Sequence, residues 1–458
     1  VTTADMSVGA QGAPTLAVVS AATMLVLVIF TVPLTTIEPT AAALAAGPGA
    51  QAWLLSAMPL GAATGLLSAG ALGDDRGRRT VFLFGLAVMA AASVAGAFAP
   101  TPLVLILARI VQGLGGAAVM ACGLGLLGRV YPGGQERTRA TAVWAASLGA
   151  GVATGPILAA LMTSAGGWTA SYWGDALASF ALLAVGHRVL PADETSGNRR
   201  VDWFGAALLM AGLALVMAGL TEMRLGIGRP LVLGLLFGGL ALLAGFVFVE
   251  ARRRDPLLDL RLFRSGGFVG ATVAAFASGA GILALMSLVP VLMSRAMGVS
   301  AITAGIVLCA WSATSVVTAF AGRWIPESWS RRMVLAGGLG GCALAQLLVY
   351  GPSVGGSIVA LLPGLFLAGV ANGVLNAALG QQAVATVPAD RTAMGSGANN
   401  TARYLGSAIG ITIGAVLIAH GAEVGGAEGL VEGWDEAVLI TAGFSILGAI
   451  VVALAREQ

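Results

Sequence analysis

The chain contains no lysine: all 24 basic residues are arginine. That absence removes two chemistries. A Walker-type phosphate loop needs a Lys amine to reach the terminal phosphates, and pyridoxal enzymes need one to form their Schiff base. Neither is open to this sequence, so any work it does must draw on an ion gradient. Charge of either sign is scarce, at 10% of 458 residues. The three cysteines, Cys122, Cys309 and Cys342, sit far apart in apolar runs with no neighbouring histidine. They read as small packing residues, not as metal ligands or a disulfide. The two histidines, His187 and His420, fall at helix ends. With no Ser, His and Asp set, no metal spacing and no paired carboxylates, the sequence predicts no enzyme, metal site or cofactor.

What remains is apolar. Hydrophobic residues make up 57% and the mean hydropathy is +0.91, which leaves too little polar surface to cover a soluble globule of this length. The expected fold class is an all-α polytopic membrane protein. At roughly 20 residues per span, the chain divides into about fourteen helices. Residues 1–14 are polar and nearly uncharged, without the basic start and cleavage site of a secretory signal, and are expected to form a tail before a first span from Thr15. An even number of spans puts both termini on one side. Arg76, Arg78, Arg79, Arg129, Arg137, Arg139, Arg199, Arg200, Arg252, Arg253, Arg254 and others fall on one face of this map, and only Arg224, Arg229 and Arg295 on the other. The arginine-rich face is therefore expected in the cytoplasm. The net charge of +3 reflects these loops, not a nucleic-acid surface.

Between two of the apolar runs lies the stretch Gly70 Ala71 Leu72 Gly73 Asp74 Asp75 Arg76 Gly77 Arg78 Arg79. Arg and Asp each cost about 2.5 to 3.5 kcal/mol at the bilayer centre on insertion scales, so these charges must sit at a membrane face. As a bare pattern this is a positive-inside loop. The placing of Gly70, Asp74, Gly77, Arg78 and Arg79 closely resembles the signature loop between helices 2 and 3 of the major facilitator superfamily of transporters. Gly322, Arg323, Trp324, Glu327, Arg331 and Arg332 look like a decayed second copy. The resemblance implies two six-helix bundles plus two extra central helices. The expected units are a tail (1–14), an N-terminal bundle (15–190), a linker with the central pair and an interfacial segment (191–265), and a C-terminal bundle (266–458).

Further motifs carry the likeness. Arg109, Gln112, Gly113 and Gly115 are similar to the family's helix 4 signature, whose buried Arg is linked to proton coupling. An intramembrane Arg is by default a functional hypothesis, and a snorkelling side chain is the plain alternative. In span 5, Gly151, Gly155 and Ala159 recur every fourth residue with Pro156 inside the helix. Small residues on one face let another backbone approach, and the proline bends the helix. This resembles the superfamily's antiporter motif, although Ala159 and Ala160 stand where two glycines are common. In span 13, Asn399, Asn400, Arg403, Gly406, Gly410 and Gly414 are similar to the fourteen-span drug:proton antiporter family.

One departure bears on mechanism. That family usually has an Asp midway along span 1, and counting back from Pro39 the position falls on Phe30. Glu38 is instead the acid of span 1. It is expected near the outer end of span 1, at about the depth of Arg109, so that the two pair and Glu38 carries the proton; a solvated residue at the membrane edge is the alternative. Asp175 in span 6 is the other buried acid, either a structural hydrogen-bond partner or a proton relay. Gln112, Met120, Asn372, Asn376 and Arg403 are candidate cavity residues, with Asn372 and Asn376 able either to meet substrate or to bond across helices. Met58, Met286 and Phe276 are candidate apolar lining or simple packing.

The expected function is proton-coupled export of small amphipathic compounds by alternating access, with protons, a small-molecule substrate and the bilayer as partners, no nucleic acid, and a monomer in the cell membrane. A lipid or single-metabolite exporter, and a non-transporting sensor, are the alternatives.

Overall fold

The computed structural model describes residues 3–131, 134–193, 202–223, 226, 228–253, 256, 260–321, 329–385 and 392–455, of which 3–11, 74–75, 134–135, 138, 145, 221, 320–321, 383–385, 392–394 and 396 are described by their backbone alone. Its elements are helices α1 (Thr3–Leu44), α2 (Pro48–Arg76), α3 (Arg78–Ala97), α4 (Pro102–Val130), α5 (Gly134–Gly166), α6 (Thr169–Val189), α7 (Trp203–Glu222) and α8 (Pro230–Glu250). They continue as α9 (Gly266–Ser278), α10 (Ala284–Arg295), α11 (Ala301–Ala321), α12 (Arg331–Leu347), α13 (Leu362–Ala385) and α14 (Thr392–Leu454). Lipid offers backbone groups no hydrogen-bond partner, so each crossing must satisfy its own ladder, and helices do so.

Eleven of the described segments are long and apolar enough to cross a membrane. The expected fourteen crossings are nonetheless traceable. Helix α14 reverses at Gly426, whose φ of +63° is outside the helical region, and the two arms meet where Gly421 faces Gly429 and Gly433 faces Leu417. Helix α12 has 17 residues, and α6 is diluted by Ser171, Asp175 and Ser179 on its buried side. Between α9 and α10 the chain continues through a single π turn, Gly279–Leu283, so Gly266–Arg295 is one crossing.

Local chemistry sets the helix starts. Thr101 accepts from the Val104 amide ahead of Pro102 at the first turn of α4, and Ser265, Ser330 and Asp202 cap α9, α12 and α7 in the same way. Gly77 is at once the end of α2 and the start of α3, with φ of +100°, a backbone region that side chains with a Cβ rarely adopt.

Helices α1 to α6 pack on one another, as do α9 to α14, while α7 and α8 pair together and α7 also touches α2 and α14. The two sets meet along α2 with α14, α5 with α11, and α1 with α10 and α11. Leu60, Leu67, Leu209, Leu213, Met217 and Phe268 join the central pair to this seam. Similar side-chain bonds occur in the two sets. Arg79 near the start of α3 donates to the His187 carbonyl at the end of α6, and Arg332 at the start of α12 donates to the Ala455 carbonyl just past α14. Gly322, Arg323, Trp324 and Glu327 of the second loop copy lie outside the described residues, as do Arg199, Arg200, Arg224 and Arg254.

Packing between crossings relies on small residues, because lipid tails provide no hydrophobic drive for helices to associate. A Cβ on Gly410 would meet the Ala280 carbonyl and, at 2.6 Å, the Ala284 side chain, whereas one on Gly337 would meet nothing within 4 Å. Gly410→Val should therefore lower the thermal stability of the detergent-purified protein, by an overpacking cost of about 1–3 kcal/mol. Gly337→Ala should not lower it, both read as melting temperatures, since a Cβ there meets nothing and alanine is the better helix former. Equal melting temperatures would contradict this packing.

Candidate functional site

Arg109 is fully buried in α4, about two turns from its N-terminal end. Its guanidinium is spent on backbone: Nε donates to the Leu54 carbonyl at 2.9 Å, Nη1 to Ile29 at 3.3 Å and Nη2 to Phe30 at 3.3 Å. One of these acceptors has a specific origin. The carbonyl of Ile29 would normally take the amide of residue 33, but that residue is Pro33, which has no N–H. A proline in α1 thus leaves an oxygen for an arginine in α4. Tyr172 and Asp175, both buried on α6, lie within electrostatic reach of the same guanidinium. Among the described residues Asp175 Oδ2 has no hydrogen-bond partner.

The expected pairing of Glu38 with Arg109 does not form. Arg109 is level with Ile29 and Phe30, and Glu38 is a further two turns along α1, roughly 12 Å at 1.5 Å per residue. Glu38 instead accepts from Arg295 Nε at 3.2 Å, with its side chain 46% exposed. Arg295 Nη2 also donates to Gln51 Oε1 at 2.7 Å, and Gln51 Nε2 to the Ala46 carbonyl at 2.9 Å. This network ties α1 and α2 to α10 at the arginine-poor end, beside a small pocket lined by Ile37, Leu55, Leu288 and Ile418.

Gln112 also departs from expectation. It faces α3 and not the seam, donating to Ser93 Oγ at 2.9 Å, because α4 turns that side toward the Gly85 and Met89 backbone. Met120 does reach the seam: Tyr404 of α14 donates its hydroxyl to Met120 Sδ at 3.3 Å and stacks edge-on with Phe30 at 6.5 Å. Asn372 bonds across helices to Ser315 Oγ at 3.1 Å, and Asn376 Oδ1 has no partner. Met58 and Met286 are packed in the core, and Phe276 stacks edge-on with Phe444.

The span 5 motif forms a contact face. A Cβ on Gly151 would strike the Met24 carbonyl, and one on Gly155 the Thr31 hydroxyl and, at 2.9 Å, Val28 Cα. Thr35 donates to the Pro156 carbonyl at 2.9 Å and Trp144 to Thr23 at 3.0 Å. The opposite side of α5 meets the other half, with Ile157 against Gly305 and Ala153 accepting from Cys309. Helix α5 is therefore held between α1 and α11.

In the signature loop, Arg78 donates to the Gly125 carbonyl at 2.9 Å, binding α3 to α4. A Cβ on Gly70 would come no nearer than 4.0 Å to the Ala121 side chain, and the side chain of Asp74 falls outside the described residues. The group that sequence reasoning overlooked is Asp193. Its carboxylate takes the Arg79 amide at 2.8 Å, the Thr80 amide at 2.9 Å and the Thr80 hydroxyl at 2.7 Å. An anion there complements the positive end of α3, and Arg129 secures the same segment by donating to the Ala192 carbonyl. A Cβ on Gly77 would collide with this carboxylate. The available signal was an acid just past span 6 on the arginine-rich face.

Together these features define a helical membrane protein of two packed halves, with a buried arginine in the first and a polar fastening at each end of its helices. The sequence model of the Major Facilitator Superfamily matches residues 15–411 and, again, 271–458. The chain belongs to that superfamily, whose members are transporters. It is 27% identical over 381 residues to the multidrug resistance protein Stp of Mycobacterium tuberculosis, covering 82% of this chain and 70% of that one. It is 28% identical over 420 residues to the puromycin resistance protein pur8 of Streptomyces alboniger, covering 87% and 82%. With the cephamycin export protein CmcT of Amycolatopsis lactamdurans it shares 30% identity over 458 residues, covering 97% and 93%.

Asp193→Ala should destabilise the start of α3 by about 0.5–2 kcal/mol, the range for loss of a helix cap. Hydrogen exchange checks this directly: the amides of Arg79 and Thr80, which Asp193 accepts from, should exchange faster while the first turn of α12 is unaffected. Unchanged exchange at both sites would refute the capping role.

Proposed function

We propose that this protein is a proton-coupled exporter of small amphipathic compounds working by alternating access. Kinship with the resistance and export proteins named above supports export. The observation that carries the coupling is the Arg109 and Asp175 cluster, where an acid with a bare oxygen lies near a cation that grips the backbone of α1 and α2. Protonating Asp175 raises the local positive charge by one and supplies the missing hydrogen. That alters how Arg109 holds the carbonyls of α1, and α1 in turn bears the Gly151 and Gly155 face of α5. Inward proton flow contributes about 2.3 kcal/mol per 100 mV for each charge, plus any pH gradient.

In this reading Arg109 and Asp175 carry the coupling and Glu38 serves with Arg295 as an outer tie between halves. The loop of Gly70, Asp74, Gly77, Arg78 and Arg79, fastened by Asp193, stabilises one state at the cytoplasmic face. The moving units are 15–190 and 266–458, with 191–265 as the connection, both termini in the cytoplasm, and a monomer as the working form. Phe30, apolar where the related antiporters usually hold an acid, favours a second reading in which the cargo is a single metabolite or lipid. A panel of dyes and lipids separates broad from narrow export.

In reconstituted vesicles, Asp175→Asn should reduce pH-driven accumulation of cargo at least tenfold while leaving downhill exchange. Glu38→Gln should keep pH-driven accumulation. Loss of coupling in the Glu38 variant and not in the Asp175 variant would reverse the assignment.

A further inference from the structure

The second half holds a membrane-embedded cation that nothing in the proposed coupling uses. Arg403 of α14 is half-buried, its Nε has no hydrogen-bond partner, and no carboxylate is paired with it among the described residues. The other tightly held arginines differ. Arg109 grips three carbonyls, Arg295 holds Glu38 and Gln51, and Arg253 holds Asp202 at 3.0 Å.

Position on the helix gives Arg403 an outlook. At about 100° per residue, Asn399, Gly406 and Gly410 share the side that meets the Ala271, Phe276 and Ala280 carbonyls of the crossing α9–α10. Tyr404 lies on the side that meets Met120 and Phe30 of the first half. Arg403 falls between these two sides, within electrostatic reach of Tyr404. One turn on, Ser407 is fully buried and its hydroxyl has no partner; nor has Ser278 Oγ, next to the Gly279 that packs against the Ser407 backbone. A cation and two hydroxyl donors thus stand unanswered in one region, beside an aromatic and thioether surface.

The acid inventory points the same way. From Pro48 to Gly73, throughout α4, α9, α10, α11 and α13, and in α14 as far as Ala422, the sequence has no Asp or Glu. These segments offer a cationic compound no counter-charge, and the acids of α1 and α6 nearest the seam, Glu38 and Asp175, face Arg295 and Arg109. An uncompensated buried charge is unfavourable, and an opposite charge that also accepts hydrogen bonds relieves it.

We infer that the seam beside Tyr404 takes amphipathic compounds bearing a carboxylate or a similar oxyanion, with Arg403 as the counter-ion and Ser407 and Ser278 as further donors. Resting on the exporter reading for its role, it fixes the charge class of the cargo: an apolar or aromatic body against Phe30, Met120 and Tyr404, and the anionic group on Arg403.

The test uses a matched pair of probes, pyrenebutyrate and a pyrenebutyl trimethylammonium, which share body and size and differ in charge. Fluorescence titration of the purified full chain should show the acid binding about tenfold tighter or more, the scale of one charge-assisted hydrogen bond. Arg403→Gln should erase that preference without weakening the ammonium probe, and Arg403→Lys should restore part of it. Equal binding of the two probes by the unaltered protein, tighter binding of the ammonium, or a preference that survives Arg403→Gln would overturn the inference. The unaltered protein alone decides the first two outcomes, whatever the variants' folding. Vesicle flux separates the underlying reading: export of the ammonium alone sinks the charge class and keeps the exporter, while selective binding of the acid with no flux of either probe sinks the exporter and keeps the site.

Discussion

A guanidinium cannot stay in hydrocarbon without acceptors, and the arrangement of the first half follows from where Arg109 finds them. With no carboxylate at the Phe30 position, the charge is met by three backbone oxygens from two other helices. Those oxygens fix the rotation of α1 and the depth of α2 relative to α4, since a shift of even one residue along a helix moves each carbonyl about 1.5 Å along the axis and 100° around it. Pro33 is the covalent part of this device, freeing the Ile29 oxygen. The same helix then presents Met24, Leu27, Val28 and Thr31 to the glycines of α5, so the arginine and the small-residue face are two ends of one rigid element.

The seam has a different character. The polar bonds seen across it among the described residues include the Arg295 network at one end, and midway the Tyr404 hydroxyl on Met120 sulfur and the Cys309 thiol on the Ala153 carbonyl. The rest is close packing of small and apolar side chains along α2 with α14 and α5 with α11. Surface ion pairs of this exposure contribute about 0–1 kcal/mol, so the halves are joined by contacts that can be exchanged for others at modest cost. Within each half, by contrast, buried polar side chains such as Gln112 with Ser93 and Asn372 with Ser315 hold neighbouring helices in register. Rigid halves and a weakly bonded seam are the physical requirement for rocking between two states.

Much of this was legible in the amino-acid order. Span number and the position of the loop at Gly77 followed from hydropathy and glycine, because each is a local property of the chain. The close face at Gly151 and Gly155 was readable for the same reason. Pairings across long separations were not. Glu38 was matched to the arginine of its own half, although its partner Arg295 is 257 positions away; depth along two helices of different tilt has no signature in composition. Asp193 looked like linker because its role depends on the fold returning the end of α6 to the start of α3. The π turn at Gly279–Leu283 was also invisible, being one extra residue within an otherwise regular apolar run.

The central claim is that stored proton energy, and not passive equilibration, sets where cargo ends up. The direct measurement is the final cargo distribution across vesicles containing the purified chain, with a pH gradient imposed and then collapsed by an uncoupler. The account predicts accumulation against the cargo's own gradient that vanishes on collapse. The same final distribution in both conditions would contradict it.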